Sequence, residues 1–443
     1  MNENEILYRF DHAKLGKFHL ALVLLSGACW ALVAYGVTII GFLLPSLRQE
    51  WQVSSSLLGV IAGAGLLGMF IGSIIGGTLA DRIGRRKMLV WSLFISGIFF
   101  LVSSTAWNFY SLLILRLLTG MGLGAIIPII STLITEFSPS KVRGTLSVLI
   151  NGCWGLGGTL AAFVGYKVVL VYGWRLSMLF GCVAFLLSVL VRIMLPESMR
   201  YLISKGKLEE AAKQFEKIKL NYSDQQEVIK PSNETVVEYK ISSGGIWSAN
   251  FARITASLWF MWIALNFLYQ GVLVWMPTLL ASTKITEGRS FLLTMLISLG
   301  QIPGTLIVAF LVDRTRRTKL LIVSLVLLTL ATLLLGISQN DIWILSTGFL
   351  LMIFNGMTWG MAYSVSSELY PTRMRGAATG WAAGVGRLGG VPAPIVVGLI
   401  MQQGGSLSLV FNLLAIAPFL AIIVISTLKM DTTGKSLEVI APG

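Results

Sequence analysis

Carboxylates are scarce in this chain. Its 443 residues hold 20 Asp and Glu, 2 His and 3 Cys, and charged residues make up only 12%, against roughly 25% in soluble domains. The few acids fall in polar connections or at the edges of apolar runs. That leaves no zinc-ligand spacing, no Gly-x-Ser-x-Gly elbow and no carboxylate pair inside a run, so an enzyme is not expected. Gly434-Lys435-Ser436 lacks the preceding glycine of a phosphate loop, which argues against ATP drive. Cys29, Cys153 and Cys182 all lie within apolar runs and suit small core positions better than a disulfide or metal framework. No metal and no cofactor are expected.

Apolar sequence is what the chain has in excess. Hydrophobic residues are 55%, and runs of about 20 residues, the length that crosses a bilayer, recur throughout. Twelve are read: 18–46, 57–80, 88–106, 109–135, 144–171, 175–195, 253–281, 289–312, 319–337, 342–369, 376–402 and 406–428. The first lacks the small-residue cleavage pattern of a signal peptide and counts as a true span. The fold class is therefore an all-α polytopic membrane protein with the lipid bilayer as its surroundings. The net charge of +14 does not mark a nucleic-acid patch, because the cations are dispersed over short connections after alternate spans. Loop cations are retained in the cytoplasm, so both termini are expected there, in a plasma-membrane protein that acts as a monomer.

The chain is also written twice. "LADRIGRRK" at 79–87 returns as "LVDRTRRTK" at 311–319, placing Asp81 and Asp313 232 residues apart. The same offset aligns "EFSPSKVRG" (136–144) with "ELYPTRMRG" (368–376), and "GCWGLGG" (152–158) with "GVGRLGG" (384–390). A single offset for three motifs implies two six-span bundles in parallel orientation, an arrangement common in secondary transporters. The expected units are 1–196, a linker at 197–250, and 251–443. The linker opens with Leu202, Leu208, Ala211, Ala212, Phe215 and Ile218 at helical spacing, an amphipathic helix for the membrane surface. Gly72, Gly76 and Gly77 precede the first signature and should let backbones approach closely.

"GTLADRIGRRK" (77–87), "RLLTGMGLG" (116–124), "PESMRYL" and "ELYPT" together resemble the major facilitator superfamily over essentially the whole chain. The branch is the one containing sugar porters, organic-ion transporters and bacterial aromatic-acid symporters. Span 7 reads "WIALNFLYQG" and span 5 "LSVLINGCWG", without the glutamines usual in sugar porters, whereas "YQGVLVWMPTLL" is more similar to the organic-ion and aromatic-acid side. The resemblance implies a gating latch formed by Asp81, Arg82, Arg85, Glu136 and Arg143, repeated by Asp313, Arg314, Arg317, Glu368 and Arg375. It also implies a structural or coupling role for Arg116. Relatives commonly carry acids in span 1, yet here that stretch reads "GACWALVAYGVTII" (27–40).

One ionisable residue stands deep in a span without a counterpart in the repeat. Arg387 lies about 16 Å into span 11 at 1.5 Å per residue, and the 232-residue offset pairs it with Gly155. Charges at that depth are costly and usually functional, and a guanidinium offers a planar fork to a carboxylate. Trp30, Tyr35, Asn151, Trp154, Asn266, Tyr269, Gln270, Trp359 and Tyr363 are the side chains expected to complete a cavity around it. The small-molecule cargo expected is an organic anion, an aromatic or small monocarboxylate, moved by alternating access. A sugar or organic-cation transporter of the same branch, and a non-transporting membrane sensor, are the alternatives.

Overall fold

The computed structural model describes residues 13–139, 142–218, 245–248, 251–281, 285–312, 314–370 and 372–428. Twelve helices among them are long and apolar enough to cross a membrane. In the first half these are Lys17–Trp51, Ser55–Ile83, Arg85–Ser103, Phe109–Phe137, Arg143–Tyr172 and Trp174–Met194, spans 1 to 6. In the second they are Ala252–Ala281, Glu287–Leu311, Arg317–Gly336, Asp341–Ser366, Ala378–Gln402 and Leu407–Ser426, spans 7 to 12.

Local chemistry sets where several of them start. Ser54, Asn108, Asn340 and Ser406 each accept a bond from a backbone N–H in the first turn that follows, which satisfies a donor the helix leaves open. All four caps lie in connections at one end of the bundles, away from the two signature loops. Exposed Trp107, Tyr110, Tyr172 and Trp343 stand at that same end, as the aromatic belt of a membrane interface does.

Small residues fix the tightest packing. A side chain at Gly72 would begin 1.9 Å from the Met121 carbonyl oxygen, and one at Gly76 2.3 Å from Ala125 Cβ, so spans 2 and 4 touch backbone to backbone. Gly77 departs from expectation: nothing lies within 4 Å of the position its Cβ would take. One residue along a helix turns the side chain by about 100°, away from span 4.

Among the described residues the two bundles meet at one end and part at the other. Away from the signature loops, Gly59 and Gly63 of span 2 abut Pro394 and Val391 of span 11, Gly41 of span 1 abuts Val274 of span 7, and Phe42 packs edge-on against Phe291 at 5.1 Å. Towards the signature loops Gly77, Gly144, Gly380 and Gly384 have no neighbour within 4 Å of a built Cβ. Among the described residues a cleft therefore lies between the halves at the signature end and is closed at the other.

Two short helices, Met199–Ser204 and Leu208–Ile218, follow span 6. Leu202, Ala211 and Phe215 are buried, and Ala212 and Ile218 half-buried, on the face the heptad-like spacing predicts. Leu208 is exposed, contrary to that reading, because it begins its helix before the apolar face is established.

Candidate functional site

Spans 5, 7, 8, 10 and 11 bring a line of rings and amides to the closed end of the cleft. Trp154 donates its indole N–H to the Tyr269 hydroxyl at 2.7 Å, which in turn donates to Gln301 Oε1 at 3.4 Å. This chain of bonds crosses from the first bundle to the second. Trp359 meets Tyr269 edge-on at 6.1 Å and Trp262 at 5.3 Å, and Trp262 meets Tyr363 at 4.7 Å. Edge-to-face contacts of this kind add about 0.5–1.5 kcal/mol each beyond their burial, so the cluster holds its shape. Trp262 is further fixed by donating to Ser366 Oγ at 3.0 Å.

Arg387 stands beside this cluster. It is half-buried, it interacts electrostatically with Tyr363, and no ion pair of it occurs among the described residues. Gly386 and Gly389 let the Arg387 turn of span 11 lie directly on Trp262 and Ile263 of span 7. Asn266 is buried next to Gly386 and donates to the Trp262 carbonyl at 2.9 Å. Asn151 likewise donates to its own helix, at Ser147 O. Both amides keep an oxygen that those bonds do not use.

Tyr269, Trp154, Trp359, Tyr363, Asn266 and Arg387 are thus brought together. Trp30 is buried in span 1, with no ring contact among the described residues. Tyr35 is turned away: its hydroxyl donates to the Ser177 carbonyl at 2.5 Å and its ring lies against Phe100, inside the first bundle. The reason is helical phase, since Tyr35 is five residues, about 500° of turn, from Trp30. Gln270 occupies a different face of span 7 from Tyr269. It lines a narrow cavity with Arg116, Gly36, Gly65 and Leu66. Sequence reasoning missed Trp262 and Gln301. Trp262 stands seven residues, two turns, before Tyr269 and so on the same face; Gln301 is a polar side chain within an apolar run, a signal of its own.

The signature loop of the first half builds a separate polar network. Arg85 pairs with Glu136 at 2.7 Å and with Asp81 at 3.3 Å, and donates to Ser198 Oγ at 2.7 Å. Ser198 also bonds Glu136. Glu197 accepts from the backbone N–H of Arg86 at 2.8 Å and of Lys87 at 3.4 Å, placing a negative charge on the start of span 3. Arg82 is exposed, and its carbonyl accepts from Tyr201 OH at 3.1 Å. Arg143 donates to Ser138 O at 3.2 Å. All these partners belong to the first half and its following helix. In the second copy Arg314 lies over the Phe310 ring and Arg317 donates to Val312 O. Asp313 and the side chains of Glu368 and Arg375 lie outside the described residues.

The arrangement is that of a carrier with a cleft between two like bundles, and its resemblances agree. The chain is 32% identical to the niacin transporter NiaP of Acinetobacter baylyi, over 98% of this chain and 99% of that one. It is 29% identical to the putative niacin/nicotinamide transporter NiaP of Bacillus subtilis, over 93% and 96%. The 4-hydroxybenzoate transporter PcaK of Acinetobacter baylyi is 30% identical, over 87% and 85%. Among solved structures, the partially occluded inward open xylose transporter XylE from E. coli superposes with a TM-score of 0.75 at 19% identity, over 95% of this chain and 100% of that one. That likeness is one of fold, the major facilitator fold of twelve membrane helices in two bundles. The protein is a multi-pass membrane transporter and not an enzyme, and with residues 18–442 matching its sequence pattern, the chain belongs to the sugar (and other) transporter family.

Proposed function

We propose that the protein carries small aromatic monocarboxylates, in the chemical class of niacin and 4-hydroxybenzoate, by alternating access. The observation that carries this reading is Arg387, a fixed cation without an acid partner among the described residues, beside a packed cluster of tryptophan and tyrosine rings. A guanidinium binds a carboxylate through two parallel bonds, and ring edges and faces suit a flat apolar body. The names of the relatives point to the same class of cargo. Asn266 and the Trp154–Tyr269–Gln301 chain supply the polar contacts that orient the ligand, with Asn151 close by on span 5.

Retention of loop cations in the cytoplasm supports a cytoplasmic signature end, with both termini there and the cleft facing inward, in a monomer of the plasma membrane. Units 1–196, 197–250 and 251–443 divide the chain. The Asp81, Arg82, Arg85, Glu136 and Arg143 set and its second-half counterparts act on the opening of that end rather than on the ligand.

Uptake of radiolabelled nicotinate by the purified protein in sealed liposomes tests the cargo. Saturable uptake, inhibited by 4-hydroxybenzoate and not by xylose or a quaternary amine, is the expected result. Uptake of xylose or of cations, with none of either acid, would overturn the reading.

A further inference from the structure

A second arginine within the spans, Arg116, has unmet needs that the cargo site does not answer. Arg116 of span 4 is 4% exposed. Its Nη2 donates to the Gly36 carbonyl at 2.9 Å, while its Nε and Nη1 are buried with no hydrogen-bond partner. Gln270, also 4% exposed, has a buried Oε1 without a partner. Both side chains line one narrow cavity of about 10 Å³, together with Gly36, Val37, Gly65 and Met69. A Cβ at Gly65 would lie 3.1 Å from Nη2, so glycine there leaves the guanidinium its room. The lining contains no Asp or Glu.

A guanidinium keeps its charge under all ordinary conditions, and an uncompensated charge in a dry interior is strongly unfavourable. A small anion in that space compensates the charge and accepts from the free N–H groups. The space holds about one water-sized body, far short of an aromatic ring. Half a turn of the Gln270 amide presents its NH2 in place of Oε1, which adds a donor to the two free on Arg116. A free N–H of Arg116 with the Gln270 NH2, one fixed positive charge and walls of glycine and aliphatic carbon form a seat for a monoatomic anion.

We propose that the Arg116–Gln270 cavity binds one halide ion, chloride in a chloride-containing medium. The cavity walls come from spans 1, 2 and 4 of the first bundle and span 7 of the second, so the seat is complete only while the halves meet at this level. The halide then favours this conformation over any in which span 7 withdraws, and it exerts that bias whether or not cargo is bound. The inference is independent of the aromatic-acid reading, which rests on Arg387.

The test uses purified, cargo-free protein and its melting temperature at constant ionic strength, with chloride, bromide, gluconate or formate as the sodium salt. The expected result is a Tm that rises by a few degrees as chloride or bromide replaces gluconate between roughly 1 and 100 mM, following the logarithm of concentration. Arg116→Met should be insensitive to the exchange. Gln270→Glu should be equally insensitive, because its own carboxylate occupies the charge of Arg116. Should Arg116→Met fail to fold, crystals of the unaltered protein soaked in bromide decide the matter, by an anomalous peak within hydrogen-bond reach of Nε or Nη1. Equal Tm in chloride and gluconate with no bromide peak means that water fills the cavity, and the proposal falls. It falls also if formate stabilises through Arg116 and halides do not.

Discussion

Position 155 in the first half and position 387 in the second occupy the same glycine-rich frame, 232 residues apart, yet they do opposite things. A Cβ at Gly155 would touch Ile302 at 3.4 Å and Gln301 at 3.7 Å, so the first half uses this point to lay span 5 on span 8. Arg387 is instead a half-buried cation that interacts electrostatically with Tyr363. The signature loops diverge in the same manner. Gly84 has φ 110°, and a Cβ there would lie 2.5 Å from Glu197 Oε2. Its counterpart Arg316 has φ −63°, an ordinary conformation. The two halves share the frame and differ in what stands on it, close helix contact at one position and a charged side chain at the other.

Removing the charge should break the comparison most completely. Arg387→Ala makes the two positions alike, and nicotinate uptake should fall by about 100-fold, the usual scale for truncating one side of a desolvated charge pair. Circular dichroism and melting should stay near those of the unaltered protein, since the described residues show no ion pair to lose. Wild-type uptake in this variant sinks the assigned role. Arg387→Lys sharpens the same point: it keeps the charge and loses the planar fork, so a loss of about tenfold is expected, and full activity would mean that charge alone suffices.

Gly84→Arg turns the first loop into a copy of the second. The backbone there is a region open essentially to glycine, costing other residues about 1–3 kcal/mol, and the new side chain displaces Glu197 from the start of span 3. A lowered Tm is the expected readout, with nicotinate affinity measured at equilibrium unchanged. The smallest effect belongs to Asp81→Asn. Asp81 has a side chain 71% exposed and, among the described residues, a single ion pair, to Arg85, and exposed pairs are worth about 0–1 kcal/mol. Substrate affinity should shift by less than about threefold while the transport rate falls; a variant that loses binding would move Asp81 into the site.

Much of this was legible in the amino-acid order because a bilayer imposes length. Spans of about 20 apolar residues, their number and the repeat follow from a constraint that acts on each segment separately. Arg387 stood out for the same reason, as a charge where charge is expensive. The contacts between segments were less legible. Trp262 and Gln301 escaped notice in the sequence, because only the packing of span 7 against spans 8 and 10 joins them to Tyr269 and Trp359. Tyr35 read as a cavity residue, and the phase of span 1 turns it onto Ser177 instead. Gly77 reads like Gly76 in sequence, yet only Gly76 meets span 4.

The sequence by itself determined the class of machine: twelve spans, two equivalent halves, a cation-rich set of loops and almost no carboxylate among the apolar runs. Tertiary structure alone decided which polar groups go unanswered. Arg116 could have met an acid, a carbonyl or a lipid headgroup for all that its neighbours in the chain reveal. Packing gave it one carbonyl, a small cavity and the Gln270 amide. Hydropathy is a property of each residue and is summed along the chain, whereas a hydrogen-bond partner is set by the phase and tilt of helices far apart in sequence.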